Sequence, residues 1–338
     1  MLKSYVKVVL FMKTAIIDKG KIVLKETDNI SLNMRDGAVI KVLGCGLCGS
    51  DIVKLREKLV PDGTVLGHEV VARIVEINSK TDFKVGDTIV TSHHIPCGKC
   101  HFCLNGNVSM CPHFKGTNIR PGGFSELVYL SEEHLENVAH ILPPNLTEVE
   151  GAFYEPLACC VRAVKRANLR KGSGTLVVGL GSIGVLMAQT LNAFGMDVIG
   201  CDLIQDRVER LKQLGIEALN VKDLPERLEA DAVFMTSGAD KALDTALKSV
   251  RNGGTVLVFS STPMNTGYAN NEIYYRELTV LGSYSPSPAD LADSLNLLKE
   301  GKVVVKNLAT EYKFEKIQQA FDDTVANKIM KAYIKITE

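Results

Sequence analysis

The sequence lacks a net charge and lacks any long apolar run. Its 39 lysines and arginines balance 39 aspartates and glutamates, so the chain has no basic field of the kind that attracts a phosphate backbone. Nucleic acid is therefore not expected as a partner. No apolar stretch of the sequence approaches the ~20 residues that a helix needs to cross a bilayer, and no association with a membrane is expected.

The sequence also lacks the features of a secreted protein. The apolar run at residues 8–12 is shorter than the hydrophobic region of a signal peptide, and we interpret residues 1–11 as an extra edge strand or a leader. Nine cysteines are spread over 338 residues, whereas disulfide scaffolds occur in small secreted domains. We therefore expect a cytoplasmic protein whose cysteines bind metal.

The hydrophobic pattern predicts two domains, as the length of 338 residues suggests. Residues 12–130 are short strands separated by glycine and proline turns, which is typical of an irregular β-rich domain. Residues 158–282 alternate apolar strands with helical patterns, which predicts a parallel, doubly wound sheet. We expect the last segment to return to the first domain, so that residues 1–157 and 283–338 form the β-rich domain. Further helices are predicted over 240–250, 290–299 and 314–327, and a final strand over 331–336.

A glycine-rich turn follows the first apolar strand of the second domain. The turn lies between strand 175–178 and a helical pattern that begins near Ile183. Glycines allow a tight turn and a close backbone approach to a pyrophosphate, and the helix N-terminus supplies a positive dipole. The alternative is that they serve turn geometry alone. In this strand–turn–helix context the sequence predicts a dinucleotide site formed by Gly179, Gly181, Ser182, Ile183 and Gly184.

The next apolar strand ends in Asp202. A carboxylate at this place can accept hydrogen bonds from the adenosine ribose hydroxyls and would repel a 2′-phosphate. NAD is therefore the expected cofactor. Arg207 lies close enough in sequence to keep NADP open as an alternative.

Four cysteines, spaced C-x2-C-x2-C-x7-C, wrap one short segment. Four thiolates at ~2.3 Å suit a tetrahedral zinc ion, and a closed site of this kind is structural. Two disulfides or an iron centre are the competing interpretations. The nearby histidines are interpreted as loop residues (His93, His94, His101 and His113), and the zinc ligands are predicted to be Cys97, Cys100, Cys103 and Cys111.

A second group of metal-binding residue types is spread over the β-rich domain. It consists of Cys48 in GLCGSD, His68 and Glu69 in GHE, and Glu155 in EPL. Thiolate, imidazole and carboxylate are all zinc ligands, and three protein ligands leave a position for substrate. Taken singly, Cys48 could be a small buried apolar residue, and either glutamate could be an ordinary ion-pair partner.

Together these motifs resemble the medium-chain zinc-dependent alcohol dehydrogenase family, from Met12 onward. The resemblance implies an α/β fold in which a Rossmann doubly wound parallel sheet accompanies a β-rich, GroES-like catalytic domain. It is carried by GLCGSD at 46–51, GHE at 67–69, the four-cysteine segment, EPL at 155–157, the glycine turn at 179–184, and Asp202.

The resemblance implies one catalytic and one structural zinc. Cys48, His68 and Glu155 would contact the catalytic zinc, Glu155 directly or through water. Glu69 would be an alternating ligand or a group that supports a ligand from behind. Cys159 is a reserve ligand candidate.

The resemblance also implies the reaction. The EPL motif is similar to that of the sorbitol and polyol dehydrogenase branch, so we expect hydride transfer between a secondary alcohol, most simply a polyol, and NAD. Ser50 would pass the alcohol proton toward solvent. Threonine-type or butanediol-type oxidation is the alternative, as is a zinc protein that binds NAD without catalysis, and the family implies a homodimer or homotetramer.

The sequence departs from this branch in two places. Val53 and Lys54 stand where the branch usually has a histidine and often a tyrosine, so the usual last proton carrier is missing. Lys54 is either solvated or contacts a polar or anionic substrate group. In the segment 282–291, the serines and Tyr284 either bond substrate hydroxyls or simply form a turn that caps the next helix.

Overall fold

The computed structural model describes residues 11–33, 35–239, 241–260 and 270–337. The chain divides into two compact units: the first runs to Phe153 and resumes at Asn307, and the second is Tyr154–Lys306. An extra edge strand or a leader was expected over residues 1–11; residues 1–10 lie outside the described residues, and Phe11 begins the first strand. Within the described ranges, no helix has the length and apolar character needed to cross a membrane.

Strands make up most of the first unit and the centre of the second. In the described residues they are β1 (Phe11–Asp18), β2 (Lys21–Asp28), β3 (Gly37–Gly46), β4 (Glu69–Asn78), β5 (Thr88–Thr91), β6 (Leu127–Leu130), β7 (Ala139–Ile141), β8 (Gly174–Val178), β9 (Asp197–Asp202), β10 (Glu217–Asn220), β11 (Ala230–Met235), β12 (Val250–Val258), β13 (Thr279–Gly282), β14 (Thr310–Lys313) and β15 (Ala332–Lys335).

Helices connect these strands. They are α1 (Gly49–Arg56), α2 (His101–Leu104), α3 (Pro112–Gly116), α4 (Glu132–Asn137), α5 (Glu148–Gly151), α6 (Tyr154–Ala167), α7 (Ser182–Ala193), α8 (Gln205–Gln213), α9 (Ala242–Ser249), α10 (Asn270–Tyr275), α11 (Pro288–Lys299) and α12 (Ile317–Val325). Short 3-10 turns span Val108–Met110, Val221–Asp223 and Phe314–Lys316.

The first unit is organised around β3. This strand is buried along nearly its whole length because β15, β4 and β6 all pair with it antiparallel. In its pairing with β4, Gly46 at the end of β3 lies opposite Glu69 at the start of β4. The segments that follow β3 and precede β4 are therefore held side by side.

The second unit is built on a six-stranded sheet in the order β10-β9-β8-β11-β12-β13. Every pairing in this sheet is parallel, so the predicted parallel, doubly wound sheet is confirmed. The central strand β8 is apolar and almost wholly buried, as expected for a strand with neighbours on both sides.

The unit boundary differs from the prediction for residues 283–306, which we expected to return to the first domain. Helix α11 instead packs on α6 within the second unit. Lys165 Nζ bonds Asp290 Oδ1 at 2.8 Å, and Ser294 Oγ donates to the Tyr154 carbonyl at 2.9 Å. The apolar pattern shows that this helix has a buried face, but it does not show which element covers that face.

Most of the predicted C-terminal elements are present with shifted ends. The helix expected over 240–250 is α9, and the chain runs straight from it into β12 at Val250, so that residues 252–254 belong to a strand. The helices expected at 290–299 and 314–327 correspond to α11 and α12, and the final strand to β15.

Candidate active site

Cys48, His68 and Glu69 form a compact group in the first unit. Cys48 follows β3 and lies at the N-terminus of α1, while His68 immediately precedes β4. Because β3 and β4 pair up to Gly46 and Glu69, the three side chains converge, and their ligand atoms all lie within 4.8 Å of one another. Thiolate, imidazole and carboxylate together suit zinc and leave a coordination position open.

Asp51 supports this group and was not singled out by the sequence. It is fully buried, and it accepts hydrogen bonds from the backbone N–H groups of Cys48 at 3.3 Å and Gly67 at 3.5 Å. Its Oδ1 lies 3.5 Å from His68 Nδ1, which leaves Nε2 of His68 as the nitrogen for a metal. The available signal was its place at the third position of α1, where an acidic residue closes a capping box.

The charges of Asp51 and His68 are coupled. Burial would lower the pKa of His68, but Asp51 and Cys48 beside it raise that pKa well above its ordinary value. Burial would raise the pKa of Asp51, but His68 outweighs this and lowers it. The pair therefore fixes the orientation of the imidazole.

Glu69 is 1% exposed and pairs with the ammonium of Lys331, which is 4% exposed. Lys331 also donates to the carbonyl of Leu47 at 3.4 Å. In the described part of the chain, Oε1 of Glu69 accepts no hydrogen bond, while Oε2 faces the Lys331 ammonium. A Cβ at Gly46 would overlap Oε2 of Glu69, so glycine at this place leaves the carboxylate its room. A buried carboxylate short of hydrogen bonds beside a thiol and an imidazole fits a metal ion.

Three histidines extend the group on one side. The ring of His93 lies 4.6 Å from that of His68 and 3.9 Å from that of His94, between ring centroids. His94 Nδ1 is bonded to the carbonyl of Thr117, and His134 Nε2 to the carbonyl of His93 at 3.2 Å. Burial lowers the pKa of His93 well below its ordinary value and that of His94 to about 4. His93 and His94 lie in a loop as expected, whereas His101 and His113 fall in the short helices α2 and α3.

Helix α1 carries the other residues expected near the site. Ser50 is exposed in its first turn. Lys54 is half-buried and lines a cavity of about 330 Å³ together with Lys19, Lys58 and Asp62. Lys54 is therefore partly enclosed rather than fully solvated.

The four cysteines Cys97, Cys100, Cys103 and Cys111 place their sulfur atoms within 4.8 Å of one another. All four are free thiols, so the disulfide alternative is wrong. The Sγ atoms lie 3.6 Å apart for Cys100 and Cys103 and 3.5 Å apart for Cys97 and Cys111. Four sulfurs around one point fit a tetrahedral ion.

Glu155 and Cys159 lie on α6 of the second unit. Glu155 is 5% exposed, and Cys159 Sγ donates to its Oε1 at 3.6 Å. The two side chains are thus neighbours one helical turn apart. The role of Glu155 as a zinc ligand stays a prediction.

The glycine turn has the predicted strand–turn–helix form. Gly179 has a φ of +96°, and a Cβ at Gly184 would overlap the carbonyl of Gly179. Gly181 is the N-cap of α7, which Ser182 and Ile183 begin. A Cβ at Gly181 would meet no atom within 4 Å, so this backbone borders open space at a helix N-terminus, as a pyrophosphate site requires.

Asp202 ends β9 and holds the glycine turn in place. Its carboxylate accepts hydrogen bonds from the backbone N–H of Leu180 at 2.7 Å and of Ile204 at 2.9 Å. Arg207 Nη1 lies 3.5 Å from Asp202 Oδ2. A carboxylate has about four acceptor positions, so these three contacts leave capacity for one further donor, such as a ribose hydroxyl.

Within the segment 282–291, Ser287 has the capping role considered for it, and the contact of the other serines and Tyr284 with substrate hydroxyls stays a prediction. Ser287 caps α11, since its hydroxyl accepts a hydrogen bond from the backbone N–H of Asp290. The Asp290 carboxylate in turn accepts a hydrogen bond from the backbone N–H of Ser287. Tyr284 is 62% exposed.

The nucleotide turn on a parallel sheet, together with a metal-binding group of three different ligands, defines the class of zinc-binding dehydrogenases. Residues 35–140 match the alcohol dehydrogenase GroES-like domain, and residues 182–300 match the zinc-binding dehydrogenase domain. The chain belongs to the medium-chain zinc-dependent alcohol dehydrogenase family, in its polyol branch. The predicted fold class is confirmed.

Curated relatives and solved structures agree with this assignment. The chain is 33% identical over 316 residues to sorbitol dehydrogenase of Halalkalibacterium halodurans, covering 87% of this chain and 90% of that protein. It is 31% identical over 327 residues to D-xylulose reductase A of Aspergillus oryzae, covering 88% of each. A Sinorhizobium meliloti structure, described as a zinc-binding dehydrogenase bound to NADP, is similar with a TM-score of 0.85, 25% identity, and coverage of 97% and 100%.

Proposed function

We propose that this chain is an NAD-dependent dehydrogenase that oxidises a secondary alcohol of a polyol. The observation that carries the proposal is the convergence of Cys48, His68 and Glu69 to within 4.8 Å. The similarity to a sorbitol dehydrogenase and to a D-xylulose reductase supports a polyol as the substrate.

Cys48 and His68 would hold the catalytic zinc, with Glu69 as an alternating ligand and Glu155 as a further ligand, directly or through water. Zinc, when bound, supplies a Lewis acid that lowers the pKa of an alcohol toward neutrality. Cys97, Cys100, Cys103 and Cys111 would hold a second, structural zinc. Thiolates that hold metal favour a reducing compartment such as the cytoplasm.

The chain's own residues bind the reactants and move the proton. Asp51 fixes the ring of His68 through Nδ1. Ser50, exposed in the first turn of α1, accepts the alcohol proton and releases it to water. The N-terminus of α7 binds the pyrophosphate of the dinucleotide through the open backbone at Gly181.

Asp202 would select NAD. Its buried carboxylate would accept a ribose hydroxyl and repel a 2′-phosphate. The guanidinium of Arg207 faces the Asp202 carboxylate, so it is directed to that carboxylate and not to a 2′-phosphate. NADP is the second candidate, since a similar solved structure is bound to NADP.

Two other functions are alternatives to this proposal. Threonine-type or butanediol-type oxidation would use the same site. A non-catalytic zinc protein that binds NAD would need only the four-cysteine site, so two zinc ions per chain favour the enzyme and one disfavours it. A homodimer or homotetramer is proposed from the family.

The proposal is tested by NADH absorbance with the zinc-loaded protein across sorbitol, galactitol, inositol, threonine and butanediol. We expect NAD reduction with at least one polyol. Cys48→Ala should abolish turnover while NADH binding, measured by fluorescence, persists. If no alcohol of the panel reduces NAD, the proposal is contradicted. It is also contradicted if Cys48→Ala turns over as fast as the wild type.

A further inference from the structure

His93 occupies a position beside the metal-binding group that no step above uses. Its ring centroid lies 4.6 Å from that of His68. Nδ1 of His93 is buried and has no hydrogen-bond partner in the described part of the chain. An unpaired buried nitrogen costs about 1–3 kcal/mol, so a partner from outside the chain is expected.

The neighbouring histidines show that this feature is specific to His93. Nδ1 of His94 is bonded to the Thr117 carbonyl, and Nδ1 of His134 lies 2.7 Å from Ser131 Oγ. Both are satisfied within the chain. His93 alone among the three presents a buried ring nitrogen without a partner.

The ring of His93 is also held in place before any ligand arrives. His134 Nε2 bonds the His93 carbonyl at 3.2 Å, and the rings of His68 and His94 both pack against the ring of His93. A ring nitrogen of histidine, as an N–H donor or as a lone-pair acceptor, can bond a hydroxyl group.

This inference rests on the proposed function and deepens it. We propose that Nδ1 of His93 hydrogen-bonds the hydroxyl on the carbon next to the reacting alcohol, and so restricts good substrates to vicinal diols and polyols. The ring of His93 packs against that of the candidate ligand His68, so it lies beside an alcohol bound at this group. A simple secondary alcohol leaves Nδ1 unpaired. Because an unpaired buried polar group costs free energy, the site discriminates against a substrate that lacks the second hydroxyl.

The test compares 2,3-butanediol with 2-butanol, which share a carbon skeleton and differ by one hydroxyl. The zinc-loaded wild type should show a kcat/KM about tenfold or more higher for the diol. His93→Phe and His93→Leu should lower diol kcat/KM by about 10- to 100-fold and change that for 2-butanol by less than about threefold. His93→Asn, which keeps a polar atom near the Nδ1 position, should retain most of the preference.

A binding measurement and a matched control complete the design. The diol should raise the melting temperature of the wild-type holoenzyme, and this shift should be lost in His93→Phe and His93→Leu at unchanged zinc content. His113→Asn is the control, since the His113 side chain is 41% exposed and bonds Glu133 at 3.0 Å.

The inference and the proposed function fail in different ways. A wild type that reduces NAD with no polyol of the panel and not with the diol overturns both. A wild type that oxidises polyols but treats the diol and 2-butanol alike overturns the role of His93 alone. Equal losses for the two alcohols in His93→Leu do so as well, because they indicate a packing role.

Discussion

Lys331 and Glu69 form an ion pair in which both side chains are buried, at 4% and 1% exposure. The lysine comes from the segment that leads into β15, and the glutamate begins β4. The pair therefore ties the last strand of the chain to the strand that follows the candidate ligand His68.

Lys331→Met should destabilise the protein, because it leaves the Glu69 carboxylate buried without its counter-charge. We expect the free energy of unfolding to fall by about 3 kcal/mol, measured by urea denaturation of the zinc-loaded protein. The double variant Glu69→Gln with Lys331→Met should recover part of this loss, since no charge is then left buried. A single variant within about 0.5 kcal/mol of wild type would contradict the argument.

Asp51→Asn should weaken zinc binding at the catalytic site. The substitution keeps the size of the side chain but removes the charge that faces His68 Nδ1 at 3.5 Å. Loss of such a supporting carboxylate typically lowers metal affinity by about 10- to 100-fold. Competition with a chelator, followed by the zinc retained per chain, measures the change. Asp62→Asn, an exposed position, is the control and should retain both ions; equal retention by the two variants would refute the role of Asp51.

The stability of the protein should decline below neutral pH, partly through His134. Burial lowers the pKa of His134 in the folded chain, whereas an unfolded histidine titrates near about 6.5. Below that pH the unfolded chain takes up a proton that the folded chain resists, so stability is lost as pH falls from about 6.5 toward the folded pKa. Above about 6.5 this residue contributes no pH dependence.

His134→Gln isolates this contribution, since its amide can still donate to the His93 carbonyl. Comparing urea unfolding near about pH 7.5 and about pH 5.5, the variant should lose less stability than wild type, by at most about 1.4 kcal/mol per pH unit. His113→Gln, at an exposed side chain, should behave like wild type. The same slope in His134→Gln and wild type would show that this histidine does not contribute.

Asp202→Asn should reduce the preference for NAD over NADP. The variant loses the charge that would repel a 2′-phosphate, and Arg207, 3.5 Å away, no longer faces an opposite charge there. We expect the ratio of kcat/KM for NAD to that for NADP to fall about tenfold or more. The exposed Asp206→Asn serves as the control. A wild type that prefers NADP would show that the assignment to NAD is wrong.

The parts of the site that could be predicted from the sequence are those formed by short local motifs. The glycine turn, the four cysteines and the GHE segment each carry their spacing within a few residues. Lys331 could not be found in this way, because a lysine near the end of the chain has no local feature that marks it as the partner of Glu69. Long-range strand pairing through β3, β4 and β15 brings the two together.

His93 shows a second limit of sequence reasoning. Histidines are common in loops, and the sequence could not distinguish His93 from His94 beside it. Only the packing reveals that one ring nitrogen is satisfied by Thr117 while the other has no partner. In the same way, the apolar face of α11 was visible in the sequence, but its packing against α6 was not.

The absence of a side chain at position 46 has a consequence for evolution of the site. Any larger residue there would meet both the Glu69 carboxylate and the Lys331 side chain, so this buried pair would have to rearrange. A single change on one strand would thus move an acid that lies beside the candidate ligands while every ligand kept its identity. The reactivity of such a centre can therefore change during evolution while all of its coordinating residues are kept.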